Sequence, residues 1–377
     1  MLTADPTAHH APLKVALMSC AHTHAGSYAA LLEARADVDL VVADPDGYDD
    51  VRGVRVVPSY EEAWNAWPEG PDAIVVTSAN AHHKDLVLEA ARRGVHVLCE
   101  KPLATTVADA EEMVAACREA DVVLMTAFPV HFSPAVESLR SALADGALGE
   151  VIGLTGTNNG KLPTARDWFP DVDLAGGGAM VDHTVHLAEI LDSALGAPAT
   201  VHATTNRILH ADRAGEGAET GGLVTLTYDS GLVATIDCSW SLPNDAPTWG
   251  GLRLQALGTG GQVQIDAFAQ HVGGPGRWLP YGSDLDALLL EAFLGAVREG
   301  RAVDPTGEVG LRTVRVVAAG ESLLAPSITK RLIEEVTRRR PARPASSPDL
   351  DRLTPREREV LELIATGMSN AEIAAAL

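Results

Sequence analysis

Val95-His96-Val97-Leu98-Cys99-Glu100-Lys101-Pro102-Leu103-Ala104 is a short, nearly continuous apolar run that stops on a Glu-Lys-Pro tripeptide. Mostly apolar residues after Gly94, bounded by a proline, fit a strand covered on both faces. Such strands sit inside parallel α/β sheets, and ligands bind at their carboxyl ends. Proline interrupts ladder pairing and keeps the preceding residue extended, so the Lys101 amine is aimed in one direction. A surface lysine in a turn is the plain alternative, and the flanking sequence decides between the two.

Upstream, apolar runs at Lys14–Met18, Asp39–Ala43, Val54–Val57 and Ala73–Thr77 precede this segment, and Val122–Thr126 follows it. Helix-patterned stretches at Tyr60–Ala66, Lys84–Arg93 and Ala108–Ala120 lie between them. The alternation predicts a Rossmann-type, doubly wound parallel sheet over residues 13–127, behind a flexible segment of residues 1–12. Its first strand-to-helix turn should carry Gly-x-Gly-x-x-Gly. Ser19, Ala21 and His24 stand there instead. Small Ser19 and Ala21 still allow close backbone approach, whereas His24 is large for helix packing. Amides of the following helix remain available to a phosphate, with His22 and His24 as possible side-chain donors. Asp44, twenty residues after His24, is placed to accept ribose hydroxyls and to repel a 2′-phosphate, favouring NAD over NADP. Asp44-Pro45-Asp46-Gly47 is also a good turn in its own right.

Beyond Phe128-Pro129 the pattern changes. Ser133-Pro134 opens a helix as cap and first residue. Closely spaced strands with Gly-rich turns follow, predicting an α+β domain with a mainly antiparallel sheet over 128–325. Helices at Leu285–Arg298 and Val309–Leu323 are expected to close this domain. Within it lies Gly176-Gly177-Gly178-Ala179-Met180-Val181-Asp182-His183-Thr184-Val185-His186. The glycines are expected to leave amides open to a ligand, and Asp182 and His186 fall on one helical face. An aspartate there can hold a hydroxyl or orient an imidazole. The histidine can move a hydroxyl proton near neutral pH.

The Glu-Lys-Pro strand end and the Gly-Gly-Gly…Asp-x-x-x-His helix start together resemble the Gfo/Idh/MocA oxidoreductases, over roughly Leu13 to Leu323. The resemblance implies that Lys101 lies between nicotinamide and substrate, and that Lys101, Asp182 and His186 form the catalytic set. Thr77-Ser78-Ala79-Asn80-Ala81-His82 resembles the family's Thr-Pro-Asn-x-x-His segment on the nicotinamide side. Cofactor contacts are therefore expected from Ser19, Ala21, His22, Thr23, His24, Asp44, Thr77, Ser78, Asn80, His82, Glu100 and Lys101. Glu100 is expected to stabilise Lys101 and the strand end. Substrate contacts are expected from Lys101, His131, Trp168, Asp182, His183 and His186. His131 stands where the family usually has arginine, and Trp168, in Asp167-Trp168-Phe169, is placed as a pocket wall. The implied chemistry is hydride transfer between NAD (NADP as second choice) and a sugar, inositol or other polyol. The implied assembly is a homodimer or homotetramer joined through an exposed sheet face.

With 377 residues the chain has room for about two domains. No apolar run approaches the roughly 18 residues that span a bilayer, and Met1–Pro12 lacks the basic and apolar regions of a signal peptide. A cytoplasmic protein with no membrane partner is expected. Cys20, Cys99, Cys117 and Cys238 are far apart, so buried free thiols are expected in place of disulfides or a metal knuckle. A net charge of −22 repels nucleic acid.

That charge sits in the body of the chain: from residue 326 onward Lys and Arg number 9 against 8 acids, and before it 20 against 43. Residues 326–350 form a Pro/Arg/Ser linker. Residues 351–377 carry a Thr354-Pro355 helix start and a second start at Ser369, resembling the beginning of a LuxR/NarL-type helix-turn-helix. The base-reading helix is missing from the sequence, so a truncated remnant is expected and nucleic acid is not expected as a partner. Two other classes compete. One is a metal-dependent hydrolase using His22 and His24, with His82, His83, His183 and His186 as further ligands. The other is a cofactor-sensing regulator acting through the tail.

Overall fold

The computed structural model describes residues 11–48, 51–246, 250–274 and 277–322, together with Thr354. The chain divides into two compact units, Met1–Leu324 and Ala325–Leu377. The expected linker and helix-turn-helix belong to the second and lie outside the described residues, as does nearly all of the N-terminal segment.

Six strands form the first sheet: β1 (Leu13–Met18), β2 (Val38–Ala43), β3 (Arg55–Val57), β4 (Ala73–Val76), β5 (His96–Glu100) and β6 (Leu124–Ala127). Their order is β3-β2-β1-β4-β5-β6, and every pairing is parallel. This is the doubly wound order whose crevice opens between β1 and β4. Helices α1 (Ala25–Glu33), α2 (Tyr60–Trp64), α3 (His83–Arg93) and α4 (Val107–Glu119) connect the strands. Sequence fixes their ends locally. The Thr106 hydroxyl accepts from Asp109 N to start α4, and Gly94, at φ +70°, ends α3 one residue before the next apolar run. The interior residues of β1, β4 and β5 are fully buried, which is why they show apolar runs and no alternation.

The second sheet follows helix α5 (Pro134–Ala144) and begins with β7 (Val151–Gly160). Helices α6 (Val172–Ala175) and α7 (Ala179–Leu195) intervene before β8 (Thr200–Asn206), β9 (Gly221–Thr227), β10 (Val233–Ser239), β11 (Gly250–Gly258) and β12 (Gly261–Asp266). The order is β12-β11-β7-β10-β9-β8; all neighbours are antiparallel except β7 and β10. Helix α7 lies on one face, where Leu187, Ile190 and Leu191 join Leu154, Val224, Ile236 and Leu254 in one core. The other face carries Leu223, Val233 and Leu257 in exposed positions.

The last two helices do not simply close the second domain, as their position in the sequence suggests. Helix α8 (Leu285–Glu299) buries Leu289, Leu290, Phe293 and Leu294 against Val15, Leu17 and Tyr28 of the first domain. Helix α9 (Gly307–Ser322) places Leu311 and Val314 in the core under α3 and α4, and Val316 in the core of the second sheet. A domain cut at residue 127 therefore separates the first sheet from a helix that covers it. The chain returns beside its point of exit. Thr126 N donates to Pro305 O at 3.0 Å, and the turn Pro129–Phe132 packs against α8.

Candidate active site

Glu100 and Lys101 end β5, and strand alternation sends their side chains to opposite sides. Lys101 Nζ reaches the first turn of α7, 2.7 Å from Asp182 Oδ1 and 3.2 Å from Asp182 O. Asp182 Oδ2 accepts from Trp240 Nε1 at 3.2 Å and lies 3.5 Å from His183 Nε2. Burial alone would raise the Asp182 carboxyl pKa; the Lys101 ammonium and His183 outweigh it and hold the group well below the usual carboxylate range. His186, one turn further along α7, is edge-on to Phe128, and its Nδ1 is buried without a hydrogen-bond partner among the described residues. Burial, with Lys101 next, pushes the imidazole pKa well below its ordinary value, so His186 is neutral at physiological pH. Its affinity for a proton is thus lower than an unperturbed histidine would have.

Glu100, fully buried, points the other way, into the turn after β1. Its Oε1 lies 2.9 Å from His24 Nδ1 and 3.6 Å from His22 Nδ1, and its Oε2 accepts from Lys101 N at 3.1 Å. The carboxylate thus supports the Lys101 backbone and two imidazoles, not the Lys101 ammonium. Burial opposes the charge on Glu100, and the histidines overcome it, lowering its pKa. Burial takes His22 down to about 3. For His24, burial is outweighed by Glu100, and the pKa is raised.

Ser19 adopts φ +85°, the left-handed conformation that a glycine would take without strain. Its Oγ accepts from Ala21 N at 3.0 Å, His22 N donates to Thr77 O at 2.8 Å, and His24 N donates to His22 Nδ1 at 3.3 Å. Those amides, which a glycine turn offers to a phosphate, are bonded here, two within the turn and one to the end of β4. Thr77 Oγ1 locks the same turn by donating to Ser19 O at 2.6 Å. Thr23 is exposed, and Asp44 stands at the end of β2, its amide bonded to Val57 O.

Several expected contacts fall elsewhere. His82 is exposed; it is His83 that is buried, its Nδ1 3.0 Å from Pro102 O and its Nε2 3.3 Å from Ser78 O. Helical periodicity held that signal, because His83 shares the buried face of α3 with Leu86, Val87 and Ala90. His131 is not brought to Lys101. Its Nδ1 lies 2.6 Å from Glu189 Oε1 and 2.7 Å from Arg140 Nη2. Glu189 is about 10 Å along α7 from Asp182. Trp168 stacks on Phe169 and donates to Ala21 O at 3.0 Å, so it braces the β1 turn, while Phe169 takes the place at the pocket. Arg166 joins it, donating to Ala21 O and lying over the Tyr48 ring.

The glycine run does not leave its amides open. Glu219 Oε1 accepts from Gly178 N and Met180 N, both at 2.9 Å, and Glu219 O accepts from Ala179 N. A Cβ on Gly178 would lie 2.0 Å from Glu219 O, so glycine is needed there for close approach of the loop before β9. Neither Glu219 nor Trp240 carried a signal readable from the sequence. Their roles come from the meeting of distant strands.

The pocket between the two sheets is small, and Asn80, Lys101, Phe169, Val181 and Asp182 line it. A larger hollow, lined by Trp64, Trp67, Asp72 and His96, lies at the amino ends of β1, β4 and β5. It is remote from the titratable clusters, and the sheet-switch crevice identifies the smaller pocket as the site.

A switch-point crevice closed by a lysine from one sheet and an aspartate from a helix on the other defines a two-domain Rossmann protein with its site between the domains. Comparison with known proteins agrees. The model of the oxidoreductase family with an NAD-binding Rossmann fold matches residues 18–128, and that of the GFO/IDH/MocA C-terminal domain matches 136–264. The chain belongs to the Gfo/Idh/MocA family. A third model, that of bacterial regulatory proteins of the luxR family, matches 351–377.

Among curated relatives, 1,5-anhydro-D-fructose reductase of Ensifer adhaerens is 39% identical over 165 residues, 43% of this chain and 49% of the relative. D-xylose 1-dehydrogenase (NADP(+)) 2 of Haloferax volcanii is 36% identical over 173 residues, 46% and 51% of the two chains. The chain spans about half the length of these curated relatives. Among solved structures, GenD2 from gentamicin A biosynthesis in complex with NAD superposes with a TM-score of 0.74 at 26% identity, covering 85% of this chain and 97% of that one.

Proposed function

We propose that this chain is an NAD-dependent oxidoreductase that transfers hydride between nicotinamide and a hydroxyl or carbonyl carbon of a sugar, inositol or related polyol. The observation that carries the reading is the 2.7 Å contact of Lys101 Nζ with Asp182 Oδ1 at the sheet-switch pocket, with neutral His186 one turn along the same helix. The sugar reductase and dehydrogenase among its relatives support the substrate class.

The residues fit a dinucleotide at both ends of the crevice. Asp44 ends β2 where ribose hydroxyls need an acceptor, and it disfavours a 2′-phosphate. Asn80 lines the pocket with Lys101, its Oδ1 buried and unpartnered among the described residues, and can accept from an amide. Between these ends, the turn presents His22 and His24 where a glycine-rich turn presents amides. When bound, nicotinamide supplies the hydride acceptor.

In this mechanism Lys101, an ammonium held by Asp182, has no lone pair and donates a hydrogen bond to the substrate oxygen. Neutral His186 takes the hydroxyl proton, and its depressed pKa favours returning that proton in the reducing direction. Asp182 keeps Lys101 charged and placed, with Trp240 fixing its second oxygen. Positioning the alcohol carbon is the larger share of catalysis. We also propose a cytoplasmic homodimer or homotetramer joined through the face bearing exposed Leu223, Val233 and Leu257.

Calorimetric titration of the full chain with NAD and NADP tests the reading. NAD binding that Asp44→Ala weakens at least tenfold, followed by polyol oxidation that Lys101→Ala abolishes, is expected. Failure of both nucleotides to bind would overturn it.

A further inference from the structure

We propose that His22, His24 and Glu100 form a binding site for one divalent first-row transition-metal ion, set in the turn after β1. Each side chain offers one ligand atom, and these atoms lie within 4.8 Å of one another. The separations from Glu100 Oε1, 2.9 Å to His24 Nδ1 and 3.6 Å to His22 Nδ1, lie near the ligand-to-ligand edge of about 3.0–3.4 Å expected around an ion with bonds of about 2.1 Å, and binding would draw the two imidazoles together. His22 Nδ1 accepts from His24 N, so its proton is on Nε2, and an ion bound at Nδ1 would take the place of that hydrogen bond. The set is two imidazoles and a carboxylate, the donor combination that suits Zn²⁺, Fe²⁺ or Mn²⁺ and leaves positions open for water or an oxygen ligand.

Charge points the same way. Glu100 is fully buried, and its carboxylate meets the two imidazoles, the Tyr28 hydroxyl and one backbone amide but makes no ion pair with a lysine or arginine side chain among the described residues. The Lys101 ammonium is committed to Asp182. A buried carboxylate needs a cation. A metal ion held between the carboxylate and the two imidazoles supplies one. Phe169 and Trp168 flank the His22 ring. His82, His83, His183 and His186 take no part, so the set shares only His22 and His24 with the hydrolase reading.

The test is stripping the full chain of metal with a chelator, then titrating with Zn²⁺ by calorimetry and with Co²⁺ by visible absorption. One ion per chain is expected, with a ligand-field band, a raised melting temperature, and at least a tenfold loss of affinity in both His24→Ala and Glu100→Gln. His24 is the most exposed of the three ligands, so His24→Ala decides the matter if Glu100→Gln fails to fold. No binding, or binding unchanged in His24→Ala, overturns the proposal. Zn²⁺ itself is the readout, so the result stands apart from nucleotide binding and turnover.

Discussion

Glu100 and Lys101 are neighbours in sequence, yet they serve two clusters of opposite construction. Lys101 meets a carboxylate carried by another sheet's helix, making a closed ion pair at a domain boundary. Glu100 meets two imidazoles from its own domain, making a cluster whose positive charge is exchangeable. The difference teaches that one strand end can hold a fixed charge and a variable one within two residues, because the pleat sends them apart. It also separates the roles open to each: a fixed pair positions, whereas a cluster of imidazoles can gain or lose a cation.

The largest expected effect comes from breaking the fixed pair. Lys101→Ala is expected to lower kcat by about 10²–10⁴-fold, and to destabilise the fold by roughly 3–5 kcal/mol because Asp182 is left buried. Steady-state rates and denaturant midpoints check this, and a variant that keeps full activity would remove Lys101 from the mechanism. Next is Glu219, which holds the start of α7 and so the Asp182 side of the pair. Glu219→Ala should cost about 1–2 kcal/mol through the lost cap, with a lower kcat, and Glu219→Gln should recover most of both. Recovery of stability without recovery of kcat would mean that Glu219 acts on more than the helix end.

The variable cluster is sharpened by pH. His22 titrates at about 3 in the fold against 6.5 unfolded, so below pH 6.5 the unfolded chain binds a proton that the folded chain does not. That contribution to stability is full above 6.5 and is lost as pH falls toward 3, at up to about 1.4 kcal/mol per unit. His24, with a raised pKa, contributes in the opposite sense: its share is full below 6.5 and is lost as pH rises through its folded value. Melting curves between pH 7 and 4 should fall less steeply in His22→Gln than in the parent. The smallest effect is at the brace. Trp168→Phe keeps the stacking but loses the bond to Ala21 O, about 1 kcal/mol, and it should alter nucleotide affinity more than kcat.

The two clusters were unequally legible in the sequence. Buried strands, proline punctuation and the i,i+4 spacing of Asp182 and His186 are local signals, and they fixed the first sheet and the face of α7. What stayed hidden was contact between distant segments. Glu219 reaches the glycine run from the loop before β9, and Trp240 reaches Asp182 from the end of β10. The absent glycines at Ser19, Ala21 and His24 were plain, but not that Ser19 would keep the glycine's backbone conformation while its hydroxyl filled the turn. His131 shows the converse: the resemblance to an arginine position suggested a substrate contact, and the fold sets the ring against Glu189 and Arg140.

Helix α8 returns to the first sheet beside the turn by which the chain left it, at Pro129–Phe132. Topologically, the second sheet is an insertion whose entrance and exit share one doorway. Residues between that turn and the start of α8 are then a cassette. Exchanging it for a relative's at two adjacent joints would transplant the substrate-facing wall and leave the first sheet's covering intact.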